Sequence, residues 1–181
     1  MIKLIFGLGN PGEKFYKTYH NIGRRLLEET NKDWENLIYS SYSFYNEILL
    51  GKSLVFMNES GKSVKELLKK FNLKPNEVCI IHDDNDILFG FCKISFNKSS
   101  AGHKGVESVF KELNTQKIWR IRLGIQFKKR KKAEEFILKN LTKVHEEIFN
   151  KKIKKNFKNL LNLLKEKEIE KLSLTKDFFI K

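Results

Sequence analysis

Ile2-Lys3-Leu4-Ile5-Phe6-Gly7-Leu8-Gly9-Asn10-Pro11-Gly12 opens the chain. The apolar run is too short for a helix and predicts a strand buried on both faces. Gly9-Asn10-Pro11-Gly12 predicts a turn, and a helix follows from about Asn21 through Leu26-Leu27-Glu28-Glu29. Strand, glycine turn and helix in that order are the unit of an α/β sheet. The pattern recurs along the chain. Residues 42–50 and 53–56 read as two strands around a Leu50-Gly51-Lys52 turn, and Ser60 reads as the cap of a helix that ends before Pro75. Residues 77–81, 90–96 and 118–127 read as strands, with a short helix at 106–113. Every glycine lies at or before Gly124 and both prolines fall in the first half. The last third therefore predicts a long helix capped by Thr142, with Val144, Ile148, Ile153, Phe157, Leu160, Leu161 and Leu164 at helical spacing and His145 on its surface. The fold class is α/β, a single domain over residues 1–181 with a mixed sheet, because one hairpin interrupts the alternation.

Composition narrows the class of partner. The 181 residues contain 36 Lys+Arg against 22 Asp+Glu, a net charge of +14. Such a surplus favours a polyanion, although heavy use of Lys, Asn, Ile and Phe also fits an AT-biased coding sequence. No apolar run approaches the ~20 residues that span a bilayer, and the first one breaks at Gly7. Cys79 and Cys92 have no metal spacing, so the expected compartment is the reducing cytoplasm.

In open α/β sheets ligands collect beyond the carboxyl ends of strands. Those ends carry Asn10, Asn58 and His82-Asp83-Asp84, with His20 at the mouth of the first helix. A histidine beside a carboxylate is the minimum set for activating water, and asparagine amides suit gripping a peptide group and a developing oxyanion. Each residue also fits an ordinary turn, cap or strand end; only their joint placement points to a site. Two apparent motifs fail on physical grounds. Gly7-x-Gly9-x-x-Gly12 matches the dinucleotide pattern, but residues 15–20 lack the helical periodicity that such a loop must lead into. Gly61-Lys62-Ser63 resembles the end of a phosphate loop, yet position 56 is Phe rather than Gly. His82, Asp83, Asp84 and Asp86 lack a second histidine at helical spacing for a metal.

Five ordered segments carry a resemblance. Gly7 to Gly12 with Thr18, His20-Asn21 and Gly23 is the first. Phe56-Met57-Asn58 with Ser60-Gly61, His82-Asp83 with Asp86 and Gly90, Ala101-Gly102-His103 with Gly105, and Arg120-Ile121-Arg122-Leu123-Gly124-Ile125 complete the set. Together they resemble the bacterial peptidyl-tRNA hydrolase family. The resemblance implies a three-layer α/β/α domain with a mixed, mostly parallel sheet, a monomer, and no metal or organic cofactor. It implies hydrolysis of the ester joining a peptide to tRNA, which recycles tRNA from stalled translation. On this resemblance His20 is the general base and Asp83 orients it. Asn10, Phe15, Phe56, Met57, Asn58, His103 and Lys104 line the substrate path, and Arg122 grips tRNA phosphate with Lys93 or Lys98 assisting.

The sequence departs from the family pattern in several places. Lys104 stands where an asparagine is usual and Tyr19 where an arginine is common. Phe15 replaces a tyrosine whose hydroxyl Tyr16 is placed to supply, and Ser95 stands where a second phosphate-gripping lysine is expected. Lys104 is the one feature that favours the alternative reading, a catalytically inactive RNA-binding protein on the same fold, as in splicing factors that resemble this family.

Overall fold

The computed structural model describes residues 1–166 and Ile169. Its strands are β1 (Leu4–Gly7), β2 (Glu35–Asn36), β3 (Ser40–Tyr45), β4 (Ile48–Ser53), β5 (Val78–Leu88), β6 (Cys92–Phe96) and β7 (Trp119–Gln126). Its helices are α1 (Ile22–Thr30), α2 (Ser60–Lys70), α3 (Lys104–Leu113), α4 (Lys143–Ile148) and α5 (Lys154–Glu166), the last two joined by a π turn over Phe149–Ile153. One seven-stranded sheet runs in the order β2-β3-β4-β1-β5-β7-β6. The central strands β4, β1, β5 and β7 are parallel, and β3 and β6 return antiparallel at the flanks.

Alternation along the central strands feeds two cores. Ile5, Cys79 and Ile81 belong to a cluster with Leu26, Phe157 and Leu160, whereas Leu4, Phe6 and Ile80 belong to one with Leu67 and Val109. The first cluster lies under α1 and α5, the second under α2 and α3, which makes three α/β/α layers. Close approach fixes the contacts. A Cβ on Gly23 would strike the Ile81 carbonyl oxygen, and one on Gly7 would sit 2.6 Å from the Gly23 oxygen, so α1 rests directly on the ends of β1 and β5.

Four local expectations differ from the structure. The β3–β4 turn falls at Asn46-Glu47, both at positive φ (45° and 70°), and Gly51 lies within β4. A Cβ there would meet Phe6 Cδ2 at 2.8 Å, so this glycine serves packing rather than a turn. Ser60 is the first residue of α2, not its cap, and its buried hydroxyl lacks a partner. The long C-terminal helix forms with Thr142 Oγ1 accepting the His145 N–H at 3.3 Å, but Val144 is exposed. His145 is half-buried rather than superficial: its ring stacks on Phe89 at 4.0 Å and its Nδ1 lies 2.7 Å from the Tyr19 hydroxyl. The final stretch of the expected 1–181 domain lies outside the described residues.

Candidate active site

β5 extends past its neighbour. Gly7, the last residue of β1, pairs with Ile81, while β5 continues beside β7 through His82, Asp83 and Asp84. Beyond Gly7 one edge of β5 has lost its partner strand, the kind of place where open α/β sheets bind ligands. The chain leaving β1 turns through Asn10, whose N–H donates to Asn21 Oδ1 at 2.9 Å while Asn21 Nδ2 donates to the Asn10 carbonyl at 2.8 Å. This reciprocal pair locks the loop onto the short turn Tyr19–Asn21 and so sets His20 beside Asp83 of β5.

His20 Nδ1 lies 2.9 Å from Asp83 Oδ1, and the same oxygen lies 3.0 Å from His103 Nε2. The backbone N–H at one end of the network assigns its protons. His103 Nδ1 accepts the Val106 N–H at 3.4 Å as the cap of α3, so its proton sits on Nε2 and points at Asp83. His20 likewise donates from Nδ1, which leaves its Nε2 as a lone pair with no partner among the described residues. His82 Nδ1 donates to the Asp83 carbonyl at 2.7 Å, and its Nε2 faces Arg120 Nη1 at 3.4 Å. Burial first, then the neighbouring His103, hold the His82 pKa well below the usual imidazole value, so it is a neutral structural group. Burial would also lower His20, but the charge and hydrogen bond of Asp83 outweigh it and raise its pKa above 6.5. Burial opposes ionisation of Asp83, yet His20 and His103 hold its carboxyl far below the usual range.

His20, Asp83 and His103 are the group of ligand-type side chains found together among the described residues, their donor atoms within 4.8 Å. They fit a metal poorly. A metal on His103 Nε2 would force the proton onto Nδ1, against the Val106 N–H.

Asn10 is buried, and its Oδ1 accepts the Met57 N–H at 2.8 Å. That bond fixes the amide rotamer and leaves Nδ2 without a partner among the described residues. Met57 is buried beneath, Phe56 and Asn58 are exposed, and the Phe56 ring meets Phe15 edge-on at 6.3 Å. Two expected residues face elsewhere. Lys104 Nζ pairs with Glu107 at 3.3 Å on the solvent side of α3, and the Tyr16 hydroxyl donates to Glu29 at 3.2 Å.

A second feature lies over β6 and β7. A cavity of about 810 Å³ is lined by Lys93, Ser95, Lys98, Arg120 and Arg122 among others. Arg122 and Lys93 are cross-strand partners, and Arg122 Nε donates to Asp84 Oδ2 at 2.7 Å. Buried Arg120 donates to the carbonyls of Lys98 and Ser99 at 3.0 and 2.8 Å, which fixes the loop that carries Lys98. Its Nε and the Ser95 hydroxyl are buried donors without partners among the described residues. The role of Arg120 as an anchor was not evident from the sequence; its alternation with Ile121 in a strand was the one available signal.

The peptidyl-tRNA hydrolase family model matches residues 4–178. The chain belongs to the peptidyl-tRNA hydrolase family. Peptidyl-tRNA hydrolase of Aquifex aeolicus is 32% identical over 173 residues, covering 90% of each chain. That of Mycoplasma mycoides is 35% identical over 189 residues, covering 98% of this chain and 92% of its own. The fold matches the crystal structure of peptidyl-tRNA hydrolase from Acinetobacter baumannii with a TM-score of 0.73 at 24% identity, over 82% of this chain and 81% of that one. Membership in the peptidyl-tRNA hydrolase family makes this chain a hydrolase of the ester that joins a peptide to tRNA. No helix among the described residues is long and apolar enough to cross a membrane.

Proposed function

We propose that this chain hydrolyses peptidyl-tRNA with His20 as general base and Asp83 as the residue that positions it. The 2.9 Å bond from His20 Nδ1 to Asp83 carries this reading, because it leaves Nε2 unprotonated and able to accept a proton. Nε2 takes a proton from water as the water oxygen attacks the ester carbonyl. The tetrahedral intermediate collapses with cleavage of the bond to the ribose oxygen, and the imidazolium returns its proton to that oxygen. Asp83 stabilises the imidazolium between these steps. The unpartnered Asn10 Nδ2 is placed to donate to the carbonyl of the first peptide unit. A free ammonium in that place could not accept it, which disfavours substrates with an unblocked amino group. Met57, Asn58, Phe56 and Phe15 form the wall along which the peptide and the terminal nucleotides run. Arg122, Lys93 and Lys98 take tRNA phosphate in the groove. Lys104, bound to Glu107, lends no support to a non-catalytic reading. The enzyme acts as a cytoplasmic monomer.

Hydrolysis of an N-blocked aminoacyl-tRNA by the purified protein, beside His20→Ala, tests the assignment. The variant should lose on the order of a hundredfold or more in kcat while still binding tRNA. Equal turnover in both proteins would remove His20 from the mechanism.

A further inference from the structure

Lys128-Lys129-Arg130-Lys131-Lys132 is an unbroken basic run, and every one of its residues is exposed. It follows β7 directly. Among the described residues only Arg130 has an acidic partner, Asp86, at 2.6 Å. The run is nevertheless held in place, and the clasp is buried Gln126. Gln126 Nε2 donates to the Asn85 carbonyl at 2.9 Å and to the Lys131 carbonyl at 3.1 Å. Its Oε1 accepts the N–H groups of Phe127 and Lys131 at 2.9 and 3.0 Å. One amide thus satisfies both ends of the loop and pins it to the end of β5, with Lys131 resting over the Phe127 ring at 4.4 Å. A like-charged run held by so many bonds has been given a fixed geometry against its own repulsion.

The surface is continuous with the groove over β6 and β7. Asp86 lines that groove and also holds Arg130, while Asn85 and Lys132 line the adjoining depression. Cations therefore run from Lys93 and Arg122 past Arg130 to Lys132. The loop exposes little apolar surface to enter a lipid layer, since Phe127 is half-buried beneath Lys131. A stripe of fixed lysines extending from a phosphate groove matches a nucleic-acid backbone.

We infer that the loop 128–132, clasped by Gln126, is a second tRNA-backbone contact that holds the body of the substrate away from the ester. The inference rests on the proposed reading of the groove, and it assigns the loop to affinity for tRNA rather than to chemistry at His20.

The test compares Lys128→Gln/Lys129→Gln/Lys132→Gln with a charge-matched control, Lys152→Gln/Lys155→Gln/Lys158→Gln, on the exposed face of the C-terminal helix. The first readout is the salt dependence of tRNA binding, which requires no turnover and so survives failure of the esterase reading. The loop variant should lower the slope of log K against log salt by about two to three, at roughly 0.7–0.9 per phosphate contact, and the control by much less. The second is the ratio of kcat/KM on an N-blocked aminoacyl-tRNA to that on the same ester carried by a short CCA-terminal fragment. That ratio should fall on the order of tenfold in the loop variant only. Equal slopes in the two variants would reduce the effect to net charge and overturn the proposal. A loss confined to binding of phosphatidylserine vesicles, with the tRNA slope intact, would make the surface a membrane contact and overturn it equally. Gln126→Leu, which frees the loop without removing charge, should raise KM on full-length tRNA and leave the fragment's KM in place; an unchanged KM on full-length tRNA would show that the clasp does not serve binding.

Discussion

At the scale of single residues, one carboxylate oxygen organises the site. Asp83 Oδ1 accepts from both His20 and His103, and the two imidazoles differ in what their other nitrogen meets. The second nitrogen of His103 is spent on the cap of α3, while that of His20 is unspent. This is why the proposed general base is His20 rather than either neighbouring histidine. The raised pKa of His20 sets the expected pH dependence. A base works unprotonated, so turnover should fall as pH drops through a value above 6.5. Asp83→Asn removes the charge that raises it; the acid limb of kcat/KM should then move to lower pH, with kcat reduced on the order of a hundredfold. An acid limb that stays in place would detach Asp83 from the titrating group. As candidates, Asp83 and Asn10 were legible in the sequence because each stands near where a strand ends or loses its neighbour, and His20 because it stands at the mouth of α1. The partnership of His103 with Asp83 was not, since it depends on how α3 is laid against β5.

Elements hold that geometry through contacts made far along the chain. The backbone N–H groups of Tyr19 and His20 donate to the carbonyls of Lys139 and Ile137 at 3.2 and 2.9 Å, and Tyr19 reaches His145 on α4. Tyr19 is enclosed by Phe89, Phe127 and Phe136, so an aromatic group fills a place next to His20 where the family pattern has arginine. Tyr19→Phe keeps the ring and deletes the hydroxyl that meets both His145 and the Thr142 N–H. It should cost about 1–2 kcal/mol of stability, a melting-temperature fall of a few degrees. A melting temperature equal to wild type would mean that the bond to His145 is not felt. A second tie is Arg25, whose guanidinium bonds Glu146 at 2.7 and 2.8 Å and Glu29 at 2.7 Å while lying over the Phe149 ring. Arg25→Met would leave two carboxylates facing each other between α1 and α4 and should cost about 3 kcal/mol in chemical denaturation; a loss under about 1 kcal/mol would show that Lys154 suffices for Glu29. Apart from the i,i+4 pair of Arg25 with Glu29, none of these ties has a local signature. Elements were legible where periodicity is local, and the β3–β4 hairpin was misplaced because Gly51 signals a turn locally, whereas its purpose is to admit Phe6. The length of β5 was missed for the same reason: His82-Asp83-Asp84 looks like a loop until β7 lends the strand its hydrogen bonds and Arg122 neutralises Asp84.

Across the whole molecule the net charge of +14 is not spread evenly in its effect. Many lysines sit in surface pairs, such as Lys104 with Glu107, Lys65 with Glu112 and Lys151 with Glu147, and exposed pairs of this kind contribute little to either stability or binding. What distinguishes the groove is geometry: Arg122 is fixed by Asp84, Lys93 stands opposite it on β6, and Lys98 rides on a loop anchored by Arg120. The net charge was legible in composition, but its concentration needed the antiparallel return of β6, which sets residues far apart in sequence side by side. If Arg122 meets one phosphate, its loss removes one counterion-release event. Arg122→Ala should then reduce the salt slope of tRNA binding by about one, with weaker binding at every salt concentration. Nonspecific loss of charge predicts something else, a small parallel change from any lysine of the same surface exposure. Lys65→Ala is the comparison, since it also has an acidic partner but lies on α2. A slope lowered in Arg122→Ala and retained in Lys65→Ala places the phosphate in the groove; equal slopes in both would mean that tRNA senses only the charge of the whole.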